Sequence, residues 1–305
     1  MVNVGQCIRQ VTTELETGGL HYGHGTDNPA DEAAWLVLHA VGAPLDGSFS
    51  HWNQALTRAQ EDRIRDTLER RISRSLPLAY ILRSSWFAGL EFEVSPAVLV
   101  PRSPIAELIL EQFQPWIAPE SANKVLDLCT GSGCIGIATA VSMPWLKVDA
   151  ADISPQALEV ARLNVAKHGV GDRVTLYQSD LFMGLPVTLY DLILANPPYV
   201  PVAAVRDLPA EYRAEPELGL ASGKDGLDAC LRILAAATRY LAPQGMLVCE
   251  VGESETRLQY VLPSVPFTWL EFVNGGSGVF MLSRQELLES ADAVANVIEE
   301  RENVL

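Results

Sequence analysis

Lys124-Val125-Leu126-Asp127-Leu128 runs directly into Cys129-Thr130-Gly131-Ser132-Gly133. The first five residues read as a strand, residues 133–141 as a helix, and the glycine-bearing turn joins the two. Without side chains at Gly131 and Gly133 the backbone turns tightly and a ligand approaches it closely. The alternation continues downstream, with strands at 147–152, 173–178, 190–195 and 245–251 and helices at 155–168, 225–241 and 253–261. Ser154 caps the helix after the second strand, Pro155 opens it and Gly169 ends it. Such alternation predicts an α/β fold, a mostly parallel sheet with helices on both faces. The end departs from it. Residues 267–273 and 278–282 flank Asn274-Gly275-Gly276 and predict a β-hairpin, which sets an antiparallel strand into the sheet.

Before residue 80 the pattern is helical, with runs at 31–41 and 57–73. Asn28 caps the first run and Pro29 begins it, while Gly42 and Pro44 stop it. β-type residues at 86–94 and 98–100 flank a Ser95-Pro96 break and read as a hairpin joining two domains. Pro101-Arg102-Ser103-Pro104 then leads into a helix from 105 to about 113. The expected organisation is a helical N-terminal domain (1–85) that recognises substrate, a β-hairpin linker (86–104) and a larger α/β domain (105–305).

The 305 residues are 48% hydrophobic and 20% charged, ordinary for a globular protein. No stretch approaches the roughly 20 apolar residues of a membrane helix. The first twenty residues include Glu14 and Glu16, unlike a secretory signal. The five cysteines, Cys7, Cys129, Cys134, Cys230 and Cys249, are odd in number and scattered, which fits reduced thiols in a cytoplasmic protein. Net charge is −16, and no basic patch of the kind that grips nucleic acid stands out. Arg63, Arg65, Arg70, Arg71 and Arg74 come closest, but Glu61, Asp62, Asp66 and Glu69 dilute them, so the segment reads as a solvated helix face.

Chemistry concentrates at the carboxyl ends of the strands, where open α/β sheets bind ligands. Asn196-Pro197-Pro198-Tyr199 follows the strand at 190–195. Two successive prolines remove two backbone donors and stiffen the turn. That leaves the Asn196 side chain and the turn carbonyls as fixed acceptors, suited to a substrate presenting a planar –NH₂. Asp127, Asp152 and Asp180 each lie near the end of a successive strand. Asp152 is placed for the ribose hydroxyls of a nucleoside. Asp180 is placed for an adenine amino group, with Leu181 or Phe182 against the ring. Gly131-x-Gly133-x-x-Gly136 also matches the dinucleotide fingerprint, a weak pattern by itself. Asp127 argues against a pyrophosphate, because an acid there repels phosphate and welcomes a cation. The closing hairpin also favours a methyltransferase sheet. Both point to S-adenosylmethionine, which carries a sulfonium and an ammonium and no phosphate.

The glycine loop, the strand-end acid and the tetrad together resemble amino-group methyltransferases of the seven-strand Rossmann-like type. Leu99-Val100-Pro101-Arg102 and Glu215-Pro216-Glu217-Leu218-Gly219-Leu220-Ala221-Ser222-Gly223 resemble the branch that methylates protein glutamines. Tyr22-Gly23-His24-Gly25-Thr26-Asp27-Asn28-Pro29, the Cys129-bearing loop and Phe267-Thr268-Trp269-Leu270-Glu271-Phe272 are similar to the members acting on ribosomal protein L-three. The paralogues acting on release factors more often carry Gly where Cys129 stands. The similarity runs from about residue 20 to about 288, and the segment beyond Gln285 matches nothing recognisable.

The resemblance implies methyl transfer from S-adenosylmethionine to a glutamine amide nitrogen, with S-adenosylhomocysteine as product. It implies Asn196, Pro197, Pro198 and Tyr199 as the catalytic tetrad, with the Asn196 oxygen and the Pro197 carbonyl holding the amide and Tyr199 packing on its plane. Leu99 and Arg102 would wall and steady the substrate, Arg102 having a surface ion pair as its plain alternative. Asp127, Cys129, Thr130, Gly131, Ser132, Gly133, Asp152, Ile153, Asp180, Leu181 and Asn196 would hold the donor. The expected partner is free ribosomal protein L-three, since an acidic enzyme attracts a basic protein. Release factors are the alternative substrate, and adenine in nucleic acid, whose exocyclic amine is also planar, a further one. A non-catalytic binding module is disfavoured because donor and acceptor elements are both present. His21, His24 and the Cys129/Cys134 pair lack metal-site spacing, so no metal is expected. Ser132 has no histidine and acid partners and is not a nucleophile.

Overall fold

The computed structural model describes residues 2–303; Met1, Val304 and Leu305, at the outer ends of the expected domains, lie outside the described residues. Four helices come first: α1 (Val4–Thr17), α2 (Pro29–Val41), α3 (Arg58–Arg74) and α4 (Leu78–Leu82). Asn28 caps α2 by accepting from the Asp31 amide, and Gly42 ends it in the left-handed conformation. Thr57 and Gln60 form a capping box on α3. The reading of the α3 arginines as a solvated face is corrected at one of them. Ile64, Leu68 and Arg71 share the buried stripe of α3, and Arg71 is only 1% exposed. It is held there by ion pairs to buried Glu32 and Glu211.

The expected hairpin exists but is displaced. β1 (Ser84–Phe87) and β2 (Leu90–Glu93) pair antiparallel around Ala88-Gly89, with Phe87 opposite Leu90. Ala88 and Gly89 both take positive φ, 48° and 76°, as a two-residue hairpin turn requires. Residues 98–100 form no strand. Val98 and Val100 instead bury against the helical core, which also takes in Val94 and, from a later helix, Ala157 and Val160. α5 (Ile105–Leu110) stops three residues earlier than expected.

The remaining elements are β3 (Lys124–Leu128), α6 (Cys134–Ser142), β4 (Lys147–Asp152), α7 (Pro155–Lys167), β5 (Val174–Gln178), β6 (Tyr190–Ala195), α8 (Ala210–Arg213), α9 (Glu217–Leu220), α10 (Asp228–Ala237), β7 (Leu241–Glu250), α11 (Glu255–Val261), β8 (Thr268–Trp269), β9 (Val279–Ser283), α12 (Arg284–Glu289) and α13 (Ala291–Glu302). Seven strands form one sheet in the order β5-β4-β3-β6-β7-β9-β8. All pairings are parallel except β7 with β9 and β8 with β9, so the closing antiparallel hairpin is present. Its first strand is shorter than expected. β7 begins earlier than expected because residues 242–245 bulge: Leu241 faces Tyr190, yet Met246 already faces Leu192.

The sheet is buried on both faces, and its strands alternate between two cores. Val125, Val148, Leu192 and Val248 pack on one side, Leu126, Ala151, Ile193 and Leu247 on the other. α5 and α6 cover the first face, α10 to α13 the second. The chain runs outward from β3 to β5 and returns to β6 on the other flank of β3. The crevice between the carboxyl ends of β3 and β6 is therefore the topological switch point, where such sheets take ligands.

Candidate active site

A cavity of about 370 Å³ opens at that switch point, within the range of small-molecule sites. It is walled by the loop after β3, the ends of β4 and β5, the tetrad after β6, and residues 97–103 facing the stretch 216–229. Of the expected residues, Cys129, Thr130, Gly131, Ser132, Asp152, Ile153, Asp180, Leu181, Asn196, Pro198, Tyr199, Leu99 and Arg102 all line it. Asp127, Gly133 and Pro197 do not.

The loop explains its own exceptions. The Asp127 carboxylate is fully buried behind it, accepting from the Thr130 hydroxyl and from the Gly136 amide at 2.9 Å. Its other oxygen has no partner, and burial pushes its pKa up to about 7. Asp127 thus fastens the turn to the first part of α6. Gly133 takes φ 82°, and a Cβ there would fall 2.8 Å from Ile137 Cδ1. Only Gly131 opens outward: a Cβ there would meet nothing within 4 Å. Cys129 carries a left-handed backbone, φ 57°, strained for a residue with a side chain. Asn164 of α7, fully buried, donates to the Ser132 and Glu93 carbonyls, each at 2.9 Å, and so ties the loop to the hairpin.

Asp152 ends β4 on the cavity wall. Its oxygens accept from the Gly131 and Ser154 amides, each at 2.8 Å, leaving further lone pairs free. Burial raises its pKa against the lowering effect of those bonds. Asp180 reaches the wall with Arg232 2.8 Å away. Leu181 also lies on the wall, whereas Phe182 turns away and stacks on Tyr240 with centroids 4.6 Å apart.

The Asn196 side chain makes no hydrogen bond among the described residues. Tyr199 is held on several sides. Its hydroxyl donates to Glu250 at 3.0 Å, its carbonyl accepts from Ser254 at 2.9 Å, and a Cβ at Gly252 would strike its ring. Glu250 also accepts from Ser103 at 2.5 Å, so the end of β7 joins the tetrad to the 97–103 wall. Burial raises the Glu250 pKa, while Ser103 and Tyr199 work to lower it.

Arg102 is not in a surface ion pair. Its guanidinium forks onto Glu215 at 2.6 and 2.7 Å, and the Val100 amide donates to the same carboxylate at 2.9 Å. His24 lies 3.5 Å from Glu215 and falls short of a hydrogen bond. Burial opposes ionisation of Glu215, yet His24 and the firmer partner Arg102 outweigh it and hold the pKa at about 2. Glu215 therefore clamps the two walls, with Leu99 packed against Gly219 beside it. Glu215, Glu250 and Ser103 had no role in the sequence reading. An acid at the end of a buried strand was the available signal for Glu250. No group of three or more His, Cys, Asp or Glu among the described residues is arranged to hold a metal.

The PrmC N-terminal domain family matches residues 9–82, and the Methyltransferase small domain family matches residues 105–209. A ribosomal protein uL3 glutamine methyltransferase of Xanthomonas campestris pathovar campestris is 45% identical over 96% of this chain and 95% of its own length. One from Neisseria meningitidis serogroup A is 43% identical over 94% and 95%. The chain belongs to the ribosomal protein uL3 glutamine methyltransferase family. It is a methyltransferase with a Rossmann-like sheet, and S-adenosylmethionine is its methyl donor. The cavity fits that donor. The uncovered backbone at Gly131 admits a close ligand, and the Asp152 carboxylate has capacity left for hydroxyl donors. No helix among the described residues is long and apolar enough to cross a membrane.

Proposed function

We propose that this methyltransferase modifies the side-chain amide nitrogen of a glutamine in ribosomal protein uL3, acting on the free protein. One observation carries the reading of the site. The Asn196 side-chain amide has no hydrogen-bond partner among the described residues, yet it shares a cavity with the glycine loop and Asp152. Asn196 Oδ1 accepts one N–H of the substrate amide, and the Pro197 carbonyl, which does not line the cavity as it stands, takes the second only once the substrate is seated, so that the nitrogen turns toward the donor. Held at Gly131 and Asp152, S-adenosylmethionine would supply an electrophilic methyl carbon, with S-adenosylhomocysteine as the leaving group. As positive charge grows on nitrogen, the fixed acceptors bind the transition state more strongly than the ground state. The N–CH₃ bond forms as the S–CH₃ bond breaks, and the extra proton leaves to water. The Tyr199 ring flattens the amide against the pocket, with its hydroxyl anchored on Glu250. Leu99 walls the acceptor end. Arg102 acts through Glu215, fixing that wall.

On the donor side, Asp152 takes the ribose hydroxyls, and Leu181 and Ile153 flank the base. Asp180 is shared with Arg232, which leaves it a lesser role. Cys129, Thr130 and Ser132 shape the floor, and Asp127 and Gly133 support it from behind. Asp152→Asn is expected to weaken S-adenosylmethionine binding about tenfold or more, the range for losing a hydrogen bond to a charged group. Calorimetry reads this directly; unchanged affinity would place the ribose elsewhere.

The 1–85 region serves substrate recognition, joined to the catalytic part through the 86–104 segment. A net charge of −16 suits a basic protein partner and disfavours nucleic acid, and the free thiols suit the cytoplasm. Labelled methyl transfer tests the substrate, with free uL3, assembled large subunits, release factors and oligonucleotides as arms. Free uL3 is expected to label fastest. Faster labelling of assembled subunits would remove the timing, and faster labelling of a release factor or oligonucleotide would remove the substrate.

A further inference from the structure

The last helix, α13, seats Val294, Val297 and Ile298 against the core beside α10. Arg301 continues the same stripe one turn on, in the last turn of the helix, where a cation is favoured. Its guanidinium forks onto Asp225 at 2.7 and 2.8 Å and reaches Asp228 at 2.6 Å. Asp225 belongs to the loop that follows Gly223 and Asp228 opens α10 at the end of that loop, and Gly223 and Asp228 line the cavity. Arg257 donates to the Asp225 carbonyl as well.

That loop touches the tetrad. Gly226, φ 87°, lies so close that a Cβ there would sit 2.2 Å from the Tyr199 carbonyl oxygen. Just past the tetrad, Val200 exchanges hydrogen bonds with Leu220 and Ser222, each at 2.8 Å, and the Val202 amide donates to the Gly223 carbonyl at 2.9 Å. A displacement of Asp225 is therefore passed within a few residues to Tyr199. Without Arg301, Asp225 and Asp228 lose the cation that bridges their carboxylates, and Arg257 remains on the Asp225 side alone.

We infer that Arg301 is a positioning residue for methyl transfer, and that α13 is a strap holding the Asp225–Gly226 loop behind the tetrad. The inference rests on the proposed role of the tetrad. It expects an effect on the acceptor geometry rather than on donor affinity.

The test uses the full chain carrying Arg301→Met, Arg301→Lys, Asp225→Asn, and Arg301→Met combined with Asp225→Asn. With uL3 and saturating donor, Arg301→Met is expected to lower kcat about tenfold, within the range for small misplacements of reacting groups. S-adenosylmethionine Kd should stay within about twofold, and Arg301→Lys should recover part of the loss, as expected where a fork is replaced by a single ammonium. The double variant should be no worse than Arg301→Met alone, since that change already breaks the contact that Asp225→Asn weakens, along with the one to Asp228. Amide hydrogen exchange, which needs no substrate, should rise at 199–202 and 222–229 in Arg301→Met. A wild-type kcat in Arg301→Met, or unchanged exchange at 199–202, overturns the strap. Failure of the unaltered enzyme to label uL3, with exchange still raised in the variant, overturns the substrate reading and leaves the strap standing.

Discussion

Asn196→Ala is expected to lower kcat by about 10²–10³, the usual effect of removing one preorganised polar group from a reacting centre. S-adenosylmethionine affinity should remain near normal. Among the described residues the Asn196 side-chain amide belongs to no hydrogen-bond network, so its removal leaves none of their buried groups unpaired. The backbone of the turn is held independently, through the Tyr199 carbonyl on Ser254 and the Val200 pairing with 220–222. The fold should therefore survive, and the loss should appear in turnover. An amide nitrogen is a poor nucleophile because its lone pair is delocalised into the carbonyl. Holding its two N–H groups is what aims that lone pair, so the loss concentrates in kcat. Single-turnover labelling with calorimetry separates the two effects. Lost donor affinity with intact kcat would move Asn196 to the donor pocket.

The glycine loop, Asp152 and the tetrad were legible in the sequence because each follows a strand buried on both faces. In a parallel sheet the carboxyl ends of such strands converge on one edge. The partners of those residues were not legible. Ser103 meets Glu250, and Arg102 meets Glu215, through contacts that no local pattern encodes. Asp127 illustrates the limit within the motif itself. The strand-end pattern places Asp127 toward the donor, but its carboxylate sits behind the loop, accepting from Thr130 and Gly136, and does not line the cavity. The fingerprint also treats Gly131, Gly133 and Gly136 alike. Gly131 faces the cavity, whereas Gly133 and Gly136 allow close packing against Ile137 and Asp127. Arg71 shows the opposite case, a missed signal that was present. Its spacing of seven and three residues from Ile64 and Leu68 places it on the apolar stripe of α3, while its charged neighbours suggested solvent.

That buried arginine gives the largest expected effect on stability. Arg71 donates to Glu32 at 2.7 Å, to Glu211 at 2.9 Å and to the His21 carbonyl at 2.9 Å. Glu211 also accepts from the His21 amide at 2.9 Å, so the contact joins the helical region to α8, just before the Glu215 clamp. Arg71→Met removes the cation paired with both carboxylates and leaves the two buried. The expected loss is about 3–5 kcal/mol, read from the urea midpoint, as for other buried pairs broken on one side. Replacing all three charges, as Arg71→Met with Glu32→Leu and Glu211→Leu, should recover much of it, because no unpaired charge remains. The pH dependence fixes the cause. Burial already raises Glu32, with Arg71 opposing that shift; burial also works against ionised Glu211, which His21 and Arg71 hold low. Without Arg71 the folded-state value of Glu32 moves further above the unfolded value of about 4.3, and that of Glu211 moves upward too. A carboxyl raised on folding contributes stability below its unfolded pKa and loses it as pH rises through the folded one. The deficit of Arg71→Met should therefore shrink as pH falls toward about 4 and widen toward neutrality. A deficit independent of pH would mean that lost packing, including the arginine's place over the Tyr22 ring, outweighs the uncompensated charge.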